Sequence, residues 1–241
     1  MSKSHLFIAL SQLAAMFVLS SGCKMAATGH NIEGVRLHQQ GQFQAAMQRF
    51  QQSVAANPKD ADAYYHMAAT AHQMATQRND AQLYQQAETL YNNCLDLNEN
   101  HTECHRGLAV LLTETNRSDR AFSLLKNWAD RSRDIADPRV ELARLYDEFG
   151  DKETAQIHLQ EALNIDKHCD RAWRAMGRLR EESGDTMQAI ANYQRSYNLN
   201  SFQPEVAQRI ATLNRSVTSS LNGSAAGGTR TVTPVLPGVR Y

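Results

Sequence analysis

Residues 170–203 read DRAWRAMGRLREESGDTMQAIANYQRSYNLNSFQ, and the spacing of small and large residues in this stretch decides the fold. Gly177 is followed by a turn glycine at seven residues, Ala189 at twelve, Tyr193 at sixteen and a small residue at nineteen. Small residues at these places let two helices approach closely, and the large side chain fills the gap between them. The stretch therefore predicts two packed helices joined by a tight turn.

The same spacing occurs at four other places in the chain, with origins at Gly34, Ala68, Ala109 and Ala143. The copy that starts at Ala68 needs seven extra residues, and the copy at Ala109 has Trp128 in its last small-residue place. A single helix pair cannot bury enough apolar surface to be stable, so neighbouring pairs must stack. The repetition predicts a solenoid of helix pairs.

Two copies also carry longer motifs. Trp173-x-x-Met176-Gly177, followed by Ala189-x-x-x-Tyr193, resembles the tetratricopeptide repeat (TPR), a helix-turn-helix unit of about 34 residues. A second match is Arg139-x-x-Leu142-Ala143-x-x-Tyr146, followed by Ala155-x-x-x-Leu159. The resemblance extends over about 27–203. It implies an all-α, right-handed superhelical solenoid that binds other proteins.

The expected repeats span about 27–60, 61–101, 102–135, 136–169 and 170–203, with a capping helix at 204–214, together a TPR domain over 27–214. We expect residues 215–241, which are rich in Ser, Thr and Gly, to be disordered. Val232–Val239 is read either as part of an inert tail or as a short partner-binding segment.

Turn and cap residues support the same division. Left-handed helix ends are expected at Gly41, Asn116, Gly150 and Gly184. Helix caps are expected at Ser118, Asp151 and Asp185, and first-turn prolines at Pro138 and Pro204. The second repeat has extra residues near Thr76–Leu83, which predict longer helices that turn at Arg78–Asp80.

The first 22 residues predict a secretory signal peptide, with Lys3 before an apolar run, Leu6–Leu19, that is too short to span a bilayer. A buried N-terminal helix is the alternative. Leu19-Ser20-Ser21-Gly22-Cys23 resembles the bacterial lipoprotein signal, which implies acylation of Cys23 and a short linker at 23–26. The predicted location is the cell envelope, at the periplasmic side of the outer membrane.

Charge and motifs exclude several function classes. The chain holds 25 basic and 25 acidic residues, and the segment between residues 22 and 215 is mildly acidic, which argues against nucleic-acid binding. The sequence has no phosphate loop, nucleophile elbow or metalloprotease helix. We therefore expect no enzymatic activity, no cofactor and no small-molecule substrate.

The first helix of each repeat is expected to line a concave groove. Candidate partner-binding residues on these helices are Tyr65, His72, Gln73, Arg106, Arg144, Arg171, Arg174 and Arg178. The arginines resemble half of the carboxylate clamp found in the TPR family, which would hold an acidic peptide or helix. The alternative is an ordinary solvated face, because Asp147, Glu148, Glu181 and Glu182 lie nearby in the sequence.

Two further patterns leave alternatives open. Cys94 and Cys104 flank one turn between repeats, where they form either a disulfide or, with Cys94 at a packing position, buried free thiols. His101, Cys104 and His105 have a spacing that could hold a soft transition metal, although no metal site is predicted.

These features predict a non-catalytic adaptor that is tethered to the envelope and binds a protein partner, for example during assembly of a pilus or secretion pore. The alternative is a regulatory subunit that docks a cell-wall hydrolase or protease.

Overall fold

The computed structural model describes residues 25–226, with side chains described as far as residue 219. The predicted signal segment 1–22, Cys23 and the segment Val232–Val239 lie outside these residues. Within the described part every regular element is an α-helix, so the expected all-α fold of repeated helix pairs is confirmed. The first helix begins at residue 25, two residues inside the expected linker.

The helices follow one another in this order: α1 (25–39), α2 (Phe43–Ala56), α3 (Ala61–Arg78), α4 (Ala81–Leu97), α5 (Thr102–Glu114), α6 (Ser118–Arg131), α7 (Asp137–Glu148), α8 (Lys152–Ile165), α9 (Asp170–Glu182), α10 (Thr186–Leu199) and α11 (Pro204–Ala226). Residues up to Arg133 form one compact unit, the N-terminal unit, and those from Asp134 form a second, the C-terminal unit. Both units contain helices of the repeat domain expected over 27–214.

Small residues pack the helix pairs, as the spacing predicts. Ala109, Ala143 and Ala189 are almost fully buried, and so are their partners further along each repeat. In the C-terminal unit, Leu159 and Met176 lie in one apolar cluster that joins α7, α8 and α9. Neighbouring helices thus bury a continuous core, which is the source of stability in a stacked array.

Most of the predicted turn signals are confirmed. Gly41, Gly150 and Gly184 adopt positive φ angles of 75°, 83° and 83°, and Asn116 has a φ of 58°. Asp185 accepts a hydrogen bond from the backbone N–H of Gln188 at 3.2 Å, as a helix cap should. Asp151 caps α8 in the same way. Pro138 and Pro204 both lie in the first turn of their helices.

The expected cap at Ser118 is wrong. Arg117 occupies the cap position of α6, and its side chain makes no capping hydrogen bond. Ser118 is instead the first residue of the helix. The preceding turn is closed by a backbone hydrogen bond of 2.7 Å from the N–H of Arg117 to the carbonyl of Leu112. Helix α6 therefore begins at Ser118, one residue earlier than a cap at Ser118 would allow.

The second repeat has the longest helices among the pairs, as its extra residues predict. Helix α3 has 18 residues and α4 has 17, whereas the helices from α5 to α10 have 12 to 14. The chain turns at Asn79, which has a φ of 50°, and Asp80 caps α4. The expected turn at Arg78–Asp80 is confirmed.

The last helix corrects the expected end of the fold. Helix α11 continues to Ala226, beyond the predicted capping helix, so residues 215–226 are helical and not disordered. The reason is an apolar stripe that the Ser- and Thr-rich composition conceals. Val206, Leu213 and Val217 recur at near-helical spacing, and all three pack against the cluster around Tyr193 of α10.

Candidate protein-binding surfaces

The first helices of neighbouring repeats contact one another in each unit. Helix α3 contacts α5 in the N-terminal unit, and α7 contacts α9 in the C-terminal unit. Helices α3 and α5 contain four of the predicted binding residues: Tyr65, His72, Gln73 and Arg106. The α7–α9 surface carries the other four: Arg144, Arg171, Arg174 and Arg178. The eight residues thus form two groups on separate units.

The α3–α5 surface is aromatic. The ring of Tyr65 is half-buried and lies 5.0 Å from that of His66 and 5.4 Å from that of His101, centroid to centroid. Burial raises the pKa of the Tyr65 hydroxyl, with a smaller effect from Glu103 that Arg106 opposes. Gln73 is exposed on the same helix. The surface offers a neutral aromatic ring and a free amide.

His72 does not line this surface, which corrects its predicted role. Only 9% of the residue is exposed. Its Nε2 lies 3.0 Å from a carboxylate oxygen of Glu114, and its Nδ1 lies 3.5 Å from the hydroxyl of Tyr91. His72 therefore ties α3 to α4 and α5 inside the packed layer, because its position on α3 faces the neighbouring helices.

The α7–α9 surface is an ion-pair network built around one buried acid. The carboxylate of Glu141 is fully buried and pairs with Arg144, at 3.2 Å from its Nε, and with Arg171 of the next first helix. Arg171 also donates to Asp137 at 2.6 Å, and Arg144 donates to Glu148 at 2.9 Å. Both arginines have carboxylate partners within their own unit.

Arg178 is held in the same way. It pairs with Asp147 of α7 and, at 2.9 Å, with Glu182 one turn further along α9. Burial opposes its charged form, but the hydrogen bond to Asp147 and the nearby carboxylates raise the pKa of Arg178 overall. Arg178 is therefore paired with Asp147 and Glu182, two of the nearby acids on which the alternative of an ordinary solvated face rests.

Arg174 is the least firmly held of the four arginines. Its Nη1 lies 3.4 Å from Oε1 of Gln203 and 3.7 Å from a carboxylate oxygen of Glu205, and 43% of its side chain is exposed. A 3.7 Å ion pair at an exposed site contributes little stability. Arg174 can exchange its partner for a carboxylate from another molecule at low cost.

The structure settles the two alternatives at the α4–α5 turn. Cys94 and Cys104 form a disulfide, so Cys94 is not a free thiol. His105 stacks on Trp128 at 3.9 Å between ring centroids and is not part of a ligand cluster with His101. The cluster of possible ligands consists of Cys94, His101 and Cys104, and the helical spacing alone did not indicate that Cys94 belongs to it. Cys169 is a buried free cysteine, and burial raises the pKa of its thiol.

Within residues 25–226, none of the helices combines the length and apolar character needed to cross a bilayer.

Comparison with known proteins identifies the repeats. Residues 34–74 match the family model described as TPR repeat, and residues 136–169 match the model described as tetratricopeptide repeat. A search of curated protein sequences found no match.

Two solved structures resemble the fold. A thermophilic TPR protein from Thermus thermophilus is 20% identical, with a TM-score of 0.57 over 78% of this chain and 98% of that one. A tetratricopeptide repeat protein from Parabacteroides merdae is 14% identical, with a TM-score of 0.59 over 78% of this chain and 70% of that one. At these identities the likeness concerns the fold. The chain is thus an all-α protein that carries tetratricopeptide repeats.

Proposed function

We propose that this protein is a non-catalytic scaffold that binds a segment of a partner protein on the first helices of its repeats. Repeats of this kind commonly mediate protein–protein interactions, and proteins built from them are typically not enzymes. The observation that carries the proposal is the direct contact of α3 with α5 and of α7 with α9. Each contact makes a continuous helical surface with side chains that the core does not use.

The two surfaces differ in chemistry. The α3–α5 surface presents Tyr65 and Gln73, which can pack against and hydrogen-bond a peptide backbone. On the α7–α9 surface most arginines already have carboxylate partners, so a strongly acidic peptide gains little there. Arg174 is the exception, because its contacts to Gln203 and Glu205 are long, at 3.4 and 3.7 Å. We infer a partner helix or extended segment that brings a single carboxylate to Arg174.

A site-specific photocrosslinker tests where the partner binds. Gln73 on α3 and Gln85 on α4 are both exposed glutamines of the same repeat, so they form a matched pair. With p-benzoylphenylalanine at Gln73, irradiation of intact cells is expected to give a discrete crosslinked product, and the same residue at Gln85 is expected to give none. Equal products from both positions, or none from Gln73, would count against binding on the first helices.

Arg174→Ala tests the charge contact, with Arg178→Ala as its control. Removal of Arg174 is expected to weaken partner binding about tenfold, the effect of one charge-assisted hydrogen bond. Arg178 is held by Asp147 and Glu182, so its loss is expected to leave binding within about twofold. The reverse order of effects would show that Arg174 is not the contact.

We propose further that Cys23 anchors the scaffold to the envelope, on the periplasmic side of the outer membrane. Support comes from Leu19–Cys23, which resembles a lipoprotein signal, and from the start of α1 at residue 25. Two residues span only about 7 Å, so an acylated Cys23 would hold the first repeat against the bilayer surface. Such a position suits assembly of an envelope complex such as a pilus or secretion pore, an analogy that rests on fold alone.

Metabolic labelling with an alkyne fatty acid tests the anchor. The wild-type chain is expected to become labelled and to require detergent for extraction from the outer-membrane fraction. Cys23→Ser is expected to abolish both properties, whereas Cys169→Ser, which changes a buried cysteine of the C-terminal unit, should retain them. Unlabelled wild-type protein would rule out the lipid anchor. If deletion of the gene left pilus and secretion pores fully assembled, the proposed pathway would be wrong.

A further inference from the structure

A buried cluster of two cysteines and one histidine lies at the turn between α4 and α5. The Sγ atoms of Cys94 and Cys104 and one ring nitrogen of His101 all lie within 4.8 Å of one another. Both cysteines are fully buried, and His101 is 7% exposed. Two thiolate sulfurs and an imidazole nitrogen are the donors that soft transition metals prefer. The disulfide occupies both sulfurs, so a metal can bind only after its reduction.

We propose that the reduced form of this protein binds one Cu(I) ion through Cys94, Cys104 and His101. A zinc site almost always has four ligands, and this cluster offers three among the described residues. Thiolate-rich sites select Cu(I), for which a complete zinc-type tetrahedron is not needed. Ligands about 2.3 Å from a common metal in a trigonal arrangement lie about 4 Å apart. The two sulfurs are bonded to each other in the disulfide, so they must separate after reduction by side-chain rotation, for which the Cα–Cα distance of 6.7 Å leaves room.

The imidazole is already oriented by a second residue. Nε2 of His101 lies 3.0 Å from Oδ1 of Asp62, so Nε2 carries the proton and donates it to the carboxylate. In that tautomer the lone pair is on Nδ1, which accepts a long hydrogen bond of 3.3 Å from the backbone N–H of Cys104 and lies 3.5 Å from a carboxylate oxygen of Glu103. A carboxylate that fixes the tautomer of a ligating histidine is the usual outer shell of a protein metal site. The metal would take the lone pair in place of that long hydrogen bond.

Contacts other than the disulfide also hold the three ligands in place. Cys94 lies in the last turn of α4, Cys104 lies in the first turn of α5, and His101 is the residue that caps α5. The turn between the helices is closed by backbone hydrogen bonds, from the N–H of Asn98 to the carbonyl of Cys94 at 2.9 Å and from the N–H of His101 to the carbonyl of Asn98 at 3.1 Å. Ligands on rigid helix ends are pre-organised for a metal.

The chemistry needs a reductant and releases protons. A dithiol passes two electrons to the Cys94–Cys104 bond and becomes a disulfide itself, and the two sulfurs of the protein become thiols. When Cu(I) binds, both thiols lose their protons to solvent and the two thiolates coordinate the ion. In the reverse direction, exchange with a disulfide of another molecule passes the two electrons to that molecule, which becomes a dithiol; the exchange restores the Cys94–Cys104 bond and releases the copper.

Copper titration of the full chain tests the proposal. Cys23→Ser with Cys169→Ser removes the other two of the four cysteines, so the background chain holds only the proposed pair. After reduction with a phosphine, Cu(I) is supplied as its bicinchoninate complex, and loss of the complex's colour reports transfer to the protein. One Cu(I) per chain is expected for the reduced form and none for the oxidised form of the same chain.

Variants test each ligand. His101→Asn keeps a cap acceptor for α5 but removes the imidazole, and it is expected to weaken copper binding by tenfold or more. Asp62→Asn is expected to weaken it by about tenfold. Asp96→Asn on exposed α4 surface makes the same charge change and should have no effect. Circular dichroism of each variant checks that the helices remain.

Three results would overturn the proposal. The first is a reduced chain that takes no copper, or an oxidised chain that takes as much as the reduced one. This comparison needs no substitution at the ligands, so it does not depend on how the variants fold. The second is copper binding that is unchanged by His101→Asn. The third is zinc binding as tight as that of Cu(I), which would contradict a three-donor site.

Discussion

A Cβ atom at Gly177 would lie 2.7 Å from Cδ1 of Tyr193, closer than side-chain carbons approach one another. The ring of Tyr193 therefore rests directly on the backbone of α9. Gly34 and Phe50 are related in the same way in the first repeat, with a closest approach of 2.5 Å. The spacing of sixteen residues that recurs in the sequence thus has a direct physical cause, since the large ring needs a position without a side chain opposite it.

Gly177→Ala tests this contact. Overpacking against Tyr193 costs about 1–3 kcal/mol, and the better helix propensity of alanine returns up to about 1 kcal/mol. We expect a net loss of about 1–2 kcal/mol in the free energy of unfolding, measured by urea denaturation. Gly29→Ala is the control, because no atom lies within 4 Å of a Cβ there, and it should leave stability unchanged or slightly higher. If both variants behaved alike, the close approach would not matter.

The buried carboxylate of Glu141 makes Arg171 important for stability. Arg171→Ala removes one of the arginines that pair with a fully buried acid, so we expect a loss of about 3 kcal/mol in denaturation experiments. Lys152→Ala breaks the pair with Glu182, in which both side chains are at least one-third exposed, and should cost less than about 1 kcal/mol. Arg171→Met with Glu141→Leu should recover much of the loss. Equal effects of the two alanine variants would contradict this account.

The sequence predicts those features that depend on residues close together in the chain. Asp185 caps α10 and Gly184 ends α9 because both effects act within a few residues. The packing of Tyr193 on Gly177 can also be predicted from the sequence, since a helix pair with a short turn has one dominant geometry. Repetition of the pattern along the chain then extends one local solution to the whole fold.

The candidate site was predicted less well, because its properties depend on longer distances. Arg171 reaches Glu141 thirty residues earlier, and that contact depends on how α7 and α9 are rotated against each other. The same rotation turns His72 inward toward Glu114. Charge counts in a sequence window cannot show either arrangement. The disulfide was one of two open alternatives, because a cysteine at a packing position can pair only if its neighbour also faces inward.

The extension of α11 can be tested by truncation. A chain that ends at Asn214 lacks Val217, which packs against the cluster around Tyr193, whereas a chain that ends at Ala226 retains it. We expect the shorter chain to lose about 1 kcal/mol in the free energy of unfolding relative to the longer one, the value of one partly buried aliphatic side chain. Val217→Ser in the full chain should give a similar loss. Equal stability of the two truncated chains would show that the extra helical turns carry no packing energy.

Acid is expected to destabilise the N-terminal unit through His66. Its ring stacks on Phe50 at 5.3 Å between centroids, and burial lowers its pKa below the ordinary value of 6.5. The nearby carboxylates of Asp62 and Asp60 raise this pKa. The nearby histidines, His38 and His101, lower it further. Because the folded-state pKa is the lower one, the unfolded chain takes up its proton first as the pH falls. Stability should therefore decrease as the pH drops below about 6.5 and stop changing, for this group, below the folded-state pKa.

His66→Phe keeps the stacked ring and should reduce that decrease in denaturation experiments at pH values between about 7 and 5. His168→Gln, at an exposed position, should retain the wild-type pH dependence. A wild-type response in His66→Phe would place the acid sensitivity elsewhere in the chain.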